Sequence, residues 1–261
     1  MLLAPMTPRP AQSAFSLVEL SIVLVILGLL TGGILAGQSL IRAAELRAVG
    51  TEYSRYVTAT QTFRDKYFAL PGDMTNATAF WGSATCPATA GTGTQTCNGN
   101  GNGELDSAVV AAVYAENFTY WQHLANAGLI EGTYTGMAGP VSEQHSIGST
   151  NVPPSKLNAG LWFVAYDSGS VAAMFPVALP RNNFRLGGAT PHSHPGNTLM
   201  KPEEQWNIDT KIDDGRPGTG AVTSPMASWI GNCANSSDPA TADYVLSHSG
   251  VSCLLYAALT K

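Results

Sequence analysis

From Leu20 to Ile41 no side chain carries a charge, and Leu20 to Leu30 is almost wholly apolar. A helix hydrophobic on every side has no face to offer water, so this stretch predicts a span through about 30 Å of hydrocarbon. Beyond Gly37 the pattern turns amphipathic. Leu46, Val49, Tyr53, Tyr56, Thr60, Phe63 and Tyr67 recur in steps of three and four, while Arg42, Glu45, Arg47, Glu52, Arg55 and Arg64 take the other positions. One helix from Phe15 to about Lys66 accounts for both patterns, and at 1.5 Å per residue it is roughly 75–80 Å long. Gly28, Gly32, Gly33 and Gly37 lower helix propensity locally and fit either close helix packing or a stretchable break. Pro71 and Gly72 punctuate the end of the helix.

Further along, the spacing predicts a second helix over Ser107 to Ala127, capped by Asp106 or Ser107 and closed by Gly128. Its apolar face is Val110, Val113, Tyr114, Phe118, Trp121 and Leu124. GLWFVAYD and SVAAMFPVAL flank Ser168 to Ser170 as a predicted hairpin, and VSCLLYAAL reads as a final strand. A third short helix fits Pro202 to Asp213, with Gly215 as its exit. The expected fold class is α+β, a long helix laid across an antiparallel sheet with additional helices and disulfide loops.

Composition narrows the setting. The 261 residues leave room for a leader, a membrane segment and one globular head, and only 12% are charged, with net charge −5. That balance, with abundant Gly, Ser, Thr, Asn and Pro, suits an exported, loop-rich surface and gives no basic excess for nucleic acid. The four cysteines have no CxxC spacing of the zinc or thioredoxin kind. With the head outside the cytoplasm they are expected as two disulfides, Cys86 with Cys97 stapling the Thr85 to Gly103 loop, and Cys233 with Cys253 near the C-terminus.

Glu19 stands at the edge of the apolar run in FSLVELSIVLVILGLL. A carboxylate facing lipid costs on the order of 2–3 kcal/mol or more, so it needs a partner. Ala14, Phe15, Ser16, Leu17, Val18 and Glu19 resemble the N-terminus of the type IV prepilin family: a short leader ending in a small residue, an aromatic, three further residues and a glutamate. The family usually has Gly where Ala14 stands. The resemblance implies that prepilin peptidase cuts between Ala14 and Phe15 and methylates the new amine of Phe15. It implies a leader over 1–14, a transmembrane and filament-core helix over 15–41, its amphipathic continuation over 42–70, and a periplasmic or extracellular head over 71–261. The implied partners are the peptidase, identical or related pilin subunits in a helical filament, an inner-membrane assembly platform, and membrane lipid before assembly. The protein would begin as a single-pass inner-membrane protein and end in a pilus or type II secretion pseudopilus. In a bundle of staggered helices, one subunit's Phe15 amine can neutralise a neighbour's Glu19.

FRDKYFALPGDMTNATAFWG, WQHLANAGLI and IDTKIDDGRPGTG are more loosely similar to larger pilin-like proteins, and in pilins a C-terminal disulfide loop is often exposed and adhesive. A reading from another class is a membrane-anchored adhesin or binding protein that never polymerises. Enzymatic function is not expected, because no G-x-S-x-G, H-E-x-x-H or phosphate-loop motif occurs. No cofactor is required, and calcium is the one candidate. In NGNGNGELD, Asn98, Asn100 and Asn102 alternate before Glu104 and Asp106, as in the first half of a calcium loop. Val109 stands where that loop wants its final carboxylate, Glu116 is placed to reach back, and a plain Asn-Gly turn explains the same residues. Asp209, Asp213 and Asp214 form a second oxygen-rich group that an exposed helix end also explains. His192 and His194 in PHSHPG alternate in a Pro/Gly loop with no third ligand nearby in sequence.

Overall fold

A computed structural model describes residues 16–107, 110–168, 181–224 and 232–259. The predicted strand at 170–179 and most of its turn lie outside the described residues. Two compact units divide between Ala44 and Glu45.

Helix α1 (Leu17–Tyr67) runs without interruption through both sequence patterns. In the first unit the large apolar side chains from Leu17 to Ile41 are exposed, and the stretch is long and apolar enough to cross a membrane. In the second unit Val49, Tyr53, Tyr56, Ala59, Thr60 and Phe63 are buried at the predicted spacing of three and four. The helix ends where Phe68 takes a left-handed φ of 52° and Gly72 one of 89°. Gly72 admits no side chain, because a Cβ there would lie 2.4 Å from the Glu116 carbonyl oxygen.

Glu52 departs from the pattern. It sits off the apolar stripe in sequence, yet only 6% of it is exposed. Its carboxylate accepts hydrogen bonds from Ser155 Oγ (2.6 Å), the Lys156 N–H (2.8 Å) and Trp162 Nε1 (2.8 Å). A buried indole N–H and a turning backbone need an acceptor, and a glutamate beside the stripe supplies one for both.

The sheet has four antiparallel strands in the order β1-β2-β4-β3: β1 (Gly160–Asp167), β2 (Arg181–Gly188), β3 (Val222–Thr223) and β4 (Leu255–Ala258). The partner of β1 is therefore Arg181–Gly188, which the alternation of residues did not single out. RNNFRLGG reads as polar but is largely buried. The reason is local pairing. Asp167 at the end of β1 forms an ion pair with Arg185 and accepts from Asn183 Nδ2 at 2.7 Å, while the Arg185 guanidinium lies 5.2 Å from the centre of the Tyr256 ring.

Between sheet and helices, Phe184 of β2 is ringed by Tyr53, Tyr56, Tyr120, Trp121 and Trp162, with centroids 6.0–6.2 Å away. Such aromatic pairs add about 0.5–1.5 kcal/mol each beyond burial.

Helix α2 is a single turn (Thr78–Trp81), and α3 spans Glu116–Asn126. The second helix thus begins nine residues later than the spacing predicts. Residues 110–115 are committed elsewhere: Ala112 has φ 55° and donates to the Gly139 carbonyl, and the Tyr114 N–H donates to the Pro87 carbonyl. A left-handed residue and two amides bonded across loops cannot continue a helix. Helix α4 (Pro202–Ile212) matches its prediction, with the Glu204 side chain accepting from the Lys201 N–H at its start.

Candidate functional site

The N-terminal element is built from α1 alone. Among the described residues its start is tied down by the Ser16 N–H, which donates to Glu19 Oε2 at 2.9 Å. Glu19 therefore caps its own helix, where a carboxylate is favoured by the unpaired amides and the helix dipole. Ala14 and Phe15 lie outside the described residues. Gly28, Gly32, Gly33 and Gly37 have nothing within 4 Å of where a Cβ would stand. The Thr31 hydroxyl donates back to the Leu27 carbonyl at 2.8 Å, so this segment keeps its polar groups bonded within the helix.

In the head, the residues from Asn98 to Asp106 are organised by carboxylates brought from elsewhere. Asp73, just past the end of α1, accepts from the backbone N–H groups of Gly101 (2.5 Å), Asn102 (3.1 Å) and Gly103 (2.8 Å). Glu116 does reach back, accepting from the N–H groups of Asn100 (2.8 Å) and Asp106 (3.1 Å). Asn98, Asn100 and Asn102 each accept from a backbone N–H, those of Thr78, Asn102 and Glu104 respectively. Asp106 Oδ2 accepts from the side-chain amides of Asn100 and Asn102. Burial pushes the Glu116 carboxyl up to about 7, with Asp73 and Asp106 adding to the rise against its backbone hydrogen bonds. Val109 lies outside the described residues. Asp73 carried no local signal beyond its place in LPGDM, since its partners are 28 to 30 residues away.

Around α4, one carboxylate oxygen each from Asp209, Asp213 and Asp214 lies within 4.8 Å of the others. Asp209 is fully buried, accepting from the Tyr244 hydroxyl at 2.8 Å and the Gly215 N–H at 3.2 Å. Burial pushes its carboxyl up to about 7; Tyr244 and Gly215 oppose this, and Asp214 and Asp213 add to it. Tyr244 was invisible to local reading because it lies 35 residues on, in the loop that the second disulfide closes.

The histidines separate. His194 stacks on Phe163, places Nδ1 2.7 Å from Gln144 Oε1, and is pushed down to about 4 by burial. His192 is exposed and meets the His145 ring at 5.3 Å. His123 is buried against Trp81 and Phe63; its Nδ1 accepts from the Gly72 N–H at 3.0 Å, and burial lowers it to about 3. Two disulfides, Cys86–Cys97 and Cys233–Cys253, have Cα separations of 5.9 and 5.1 Å.

Residues 9–35 match the model of the prokaryotic N-terminal methylation motif. Together with an apolar N-terminal helix, a four-stranded antiparallel sheet, further helices and two disulfides, this match supports a type IV pilin-like protein of α+β fold. More particularly, the motif supports a type IV pilin-like or pseudopilin precursor, of no specified subfamily, and indicates a structural protein rather than an enzyme. The apolar helix and the motif fit membrane anchoring in a pilus or pseudopilus. No curated protein and no solved structure matches the chain.

Proposed function

We propose that this chain is a filament subunit of a type IV pilus-like or type II secretion pseudopilus system. It enters the inner membrane once with its head in the periplasm. Prepilin peptidase cuts it between Ala14 and Phe15, the new Phe15 amine is methylated, and the assembly platform draws the subunit into a helical filament of identical or related pilins.

The observation that carries this reading is the pairing of a matched methylation motif with an N-terminal helix whose apolar stretch is exposed among the described residues. Among the described residues Glu19 accepts from the Ser16 amide at the start of its own helix. Removing the leader places a charged amine four residues from Glu19, and that amine can meet the carboxylate of an adjoining subunit, which favours the assembled state over the lone helix in lipid.

Co-expression with a prepilin peptidase tests it. Intact-mass analysis is expected to show loss of the first 14 residues and one added methyl group on Phe15. A chain that keeps its leader and stays monomeric in lipid would be the non-polymerising anchored adhesin instead.

A further inference from the structure

We propose that Asp73 guards two asparagine-glycine bonds of the head, Asn100–Gly101 and Asn102–Gly103, against spontaneous deamidation. Asparagine before glycine is the dipeptide most prone to this reaction, because glycine has no side chain to hinder the closing ring. The backbone nitrogen of the glycine gives up its proton and attacks the asparagine Cγ. A C–N bond forms, the Cγ–Nδ2 bond breaks, and ammonia leaves with that proton. Water then opens the cyclic imide at either carbonyl, leaving aspartate or isoaspartate.

The turn geometry favours this labile sequence. Gly101 and Gly103 take left-handed φ values of 76° and 86°, where a side chain is strained. The carboxamide oxygens of Asn100 and Asn102 accept from the backbone amides two residues on, those of Asn102 and Glu104, in a turn that asparagine favours. Both asparagines are exposed, so water has access to them.

Asp73 acts on the atoms that would react. It is buried, and its carboxylate accepts from the N–H groups of Gly101 (Oδ1, 2.5 Å) and Gly103 (Oδ2, 2.8 Å). Those are the two nitrogens that ring closure requires. A proton held by a carboxylate is harder to remove, since the amide anion would form beside a negative charge. The bond also holds each peptide plane with its N–H toward Asp73, and attack needs that plane to turn. The leaving groups are held as well, with Nδ2 of Asn100 and of Asn102 donating to Asp106 Oδ2 at 2.8 and 3.2 Å. Conversion to aspartate would set a carboxylate against that oxygen, and isoaspartate would lengthen the backbone inside the turn.

A third pair provides an internal reference. Asn98–Gly99 has the same chemistry, but the Gly99 N–H donates to the Met74 carbonyl at 2.9 Å. Changing the Asp73 side chain leaves that backbone acceptor in place.

The test incubates the full chain in detergent micelles at neutral pH and follows aspartate and isoaspartate by peptide mapping. In the unchanged protein all three asparagines are expected to stay amides far longer than in a free peptide of sequence NGNGNGELD. Asp73→Ala is expected to speed the reaction at Asn100 and Asn102 at least about tenfold, equivalent to about 1.4 kcal/mol of barrier, and to leave Asn98 slow. Asp73→Asn keeps the shape of the side chain but has one acceptor oxygen in place of two. It is expected to preserve the fold and to speed at least one of the two sites, so it carries the test if Asp73→Ala does not fold. Circular dichroism and thermal unfolding establish which variants are folded. Unchanged rates in the folded variants, or a peptide-like rate in the unchanged protein, overturn the proposal. Equal acceleration at Asn98, Asn100 and Asn102 would reflect a general loosening of the loop and overturns it too.

Discussion

Two glutamates on one helix have opposite surroundings. Glu52 is enclosed by a hydroxyl, a backbone amide and an indole, all from the same chain. Glu19 is exposed and, among the described residues, accepts from the amide at its own helix start. The halves of α1 around them differ in the same way: six apolar or hydroxylic side chains of the second half, from Val49 to Phe63, are buried in the head, while the apolar side chains of the first half are exposed. An amphipathic helix completes itself on a domain. A helix apolar on every side completes itself only in lipid or among other helices.

The sharpest way to break this comparison is to remove each carboxylate in turn. Glu19→Ala is expected to spare membrane insertion and the stability of the head but to cut filament incorporation at least about tenfold, since a 1.4 kcal/mol loss at each contact is already a factor of ten. Shear fractions compared with membrane fractions measure it. Glu52→Ala is expected to do the reverse at the level of the fold, destabilising the head by about 3 kcal/mol because buried donors on Trp162, Ser155 and Lys156 lose their acceptor. Urea unfolding of the full chain in detergent measures that loss, and an effect below about 1 kcal/mol would dissolve the contrast.

Cys233→Ser with Cys253→Ser sharpens it further. Freeing a loop closed across 20 residues is expected to cost about 3 kcal/mol in the chain-entropy model, without changing insertion of α1.

The smallest effect is in pH. Glu116 and Asp209 have raised folded-state pKa values of about 7, so the stability they contribute is complete below their unfolded values near 4 and is lost as pH rises through 7. His123 and His194 are lowered to about 3 and about 4, so their contribution is absent below these values and complete above about 6.5. Between about pH 4.5 and 6 the two effects nearly cancel, so thermal unfolding from pH 4 to 9 is expected to show a broad plateau up to about 6 and a fall through 7. A Tm that climbs steadily to pH 9 would show that neither carboxyl is buried as described.

Much of this was legible in the residues because it is written in short-range periodicity. The span of α1, its amphipathic second half, its stop at Pro71 and Gly72, the strand GLWFVAYD and the helix after Lys201 follow from neighbours within a turn or two. The failures have a common cause. Arg181–Gly188 reads as polar because its charge is answered by Asp167, one strand away. The predicted start of α3 fails because Ala112 and Tyr114 give their amides to Gly139 and Pro87. At the acidic group near α4, the three aspartates are visible within six residues, but the Tyr244 hydroxyl that Asp209 accepts from is recognisable only once the fold is known.

The amino-acid order by itself determined where the chain is apolar all round, where it is apolar on one side, and that a glutamate stands at the border of the first region. Those are properties of a side chain and its near neighbours, and no fold is needed to express them. Only the tertiary structure decided which polar groups are buried, and with what. Glu52, Asp73, Glu116, Asp167 and Asp209 all answer donors that depend on long-range packing. A hydrogen bond is worth making only where water has been excluded, and water is excluded by residues far apart along the chain.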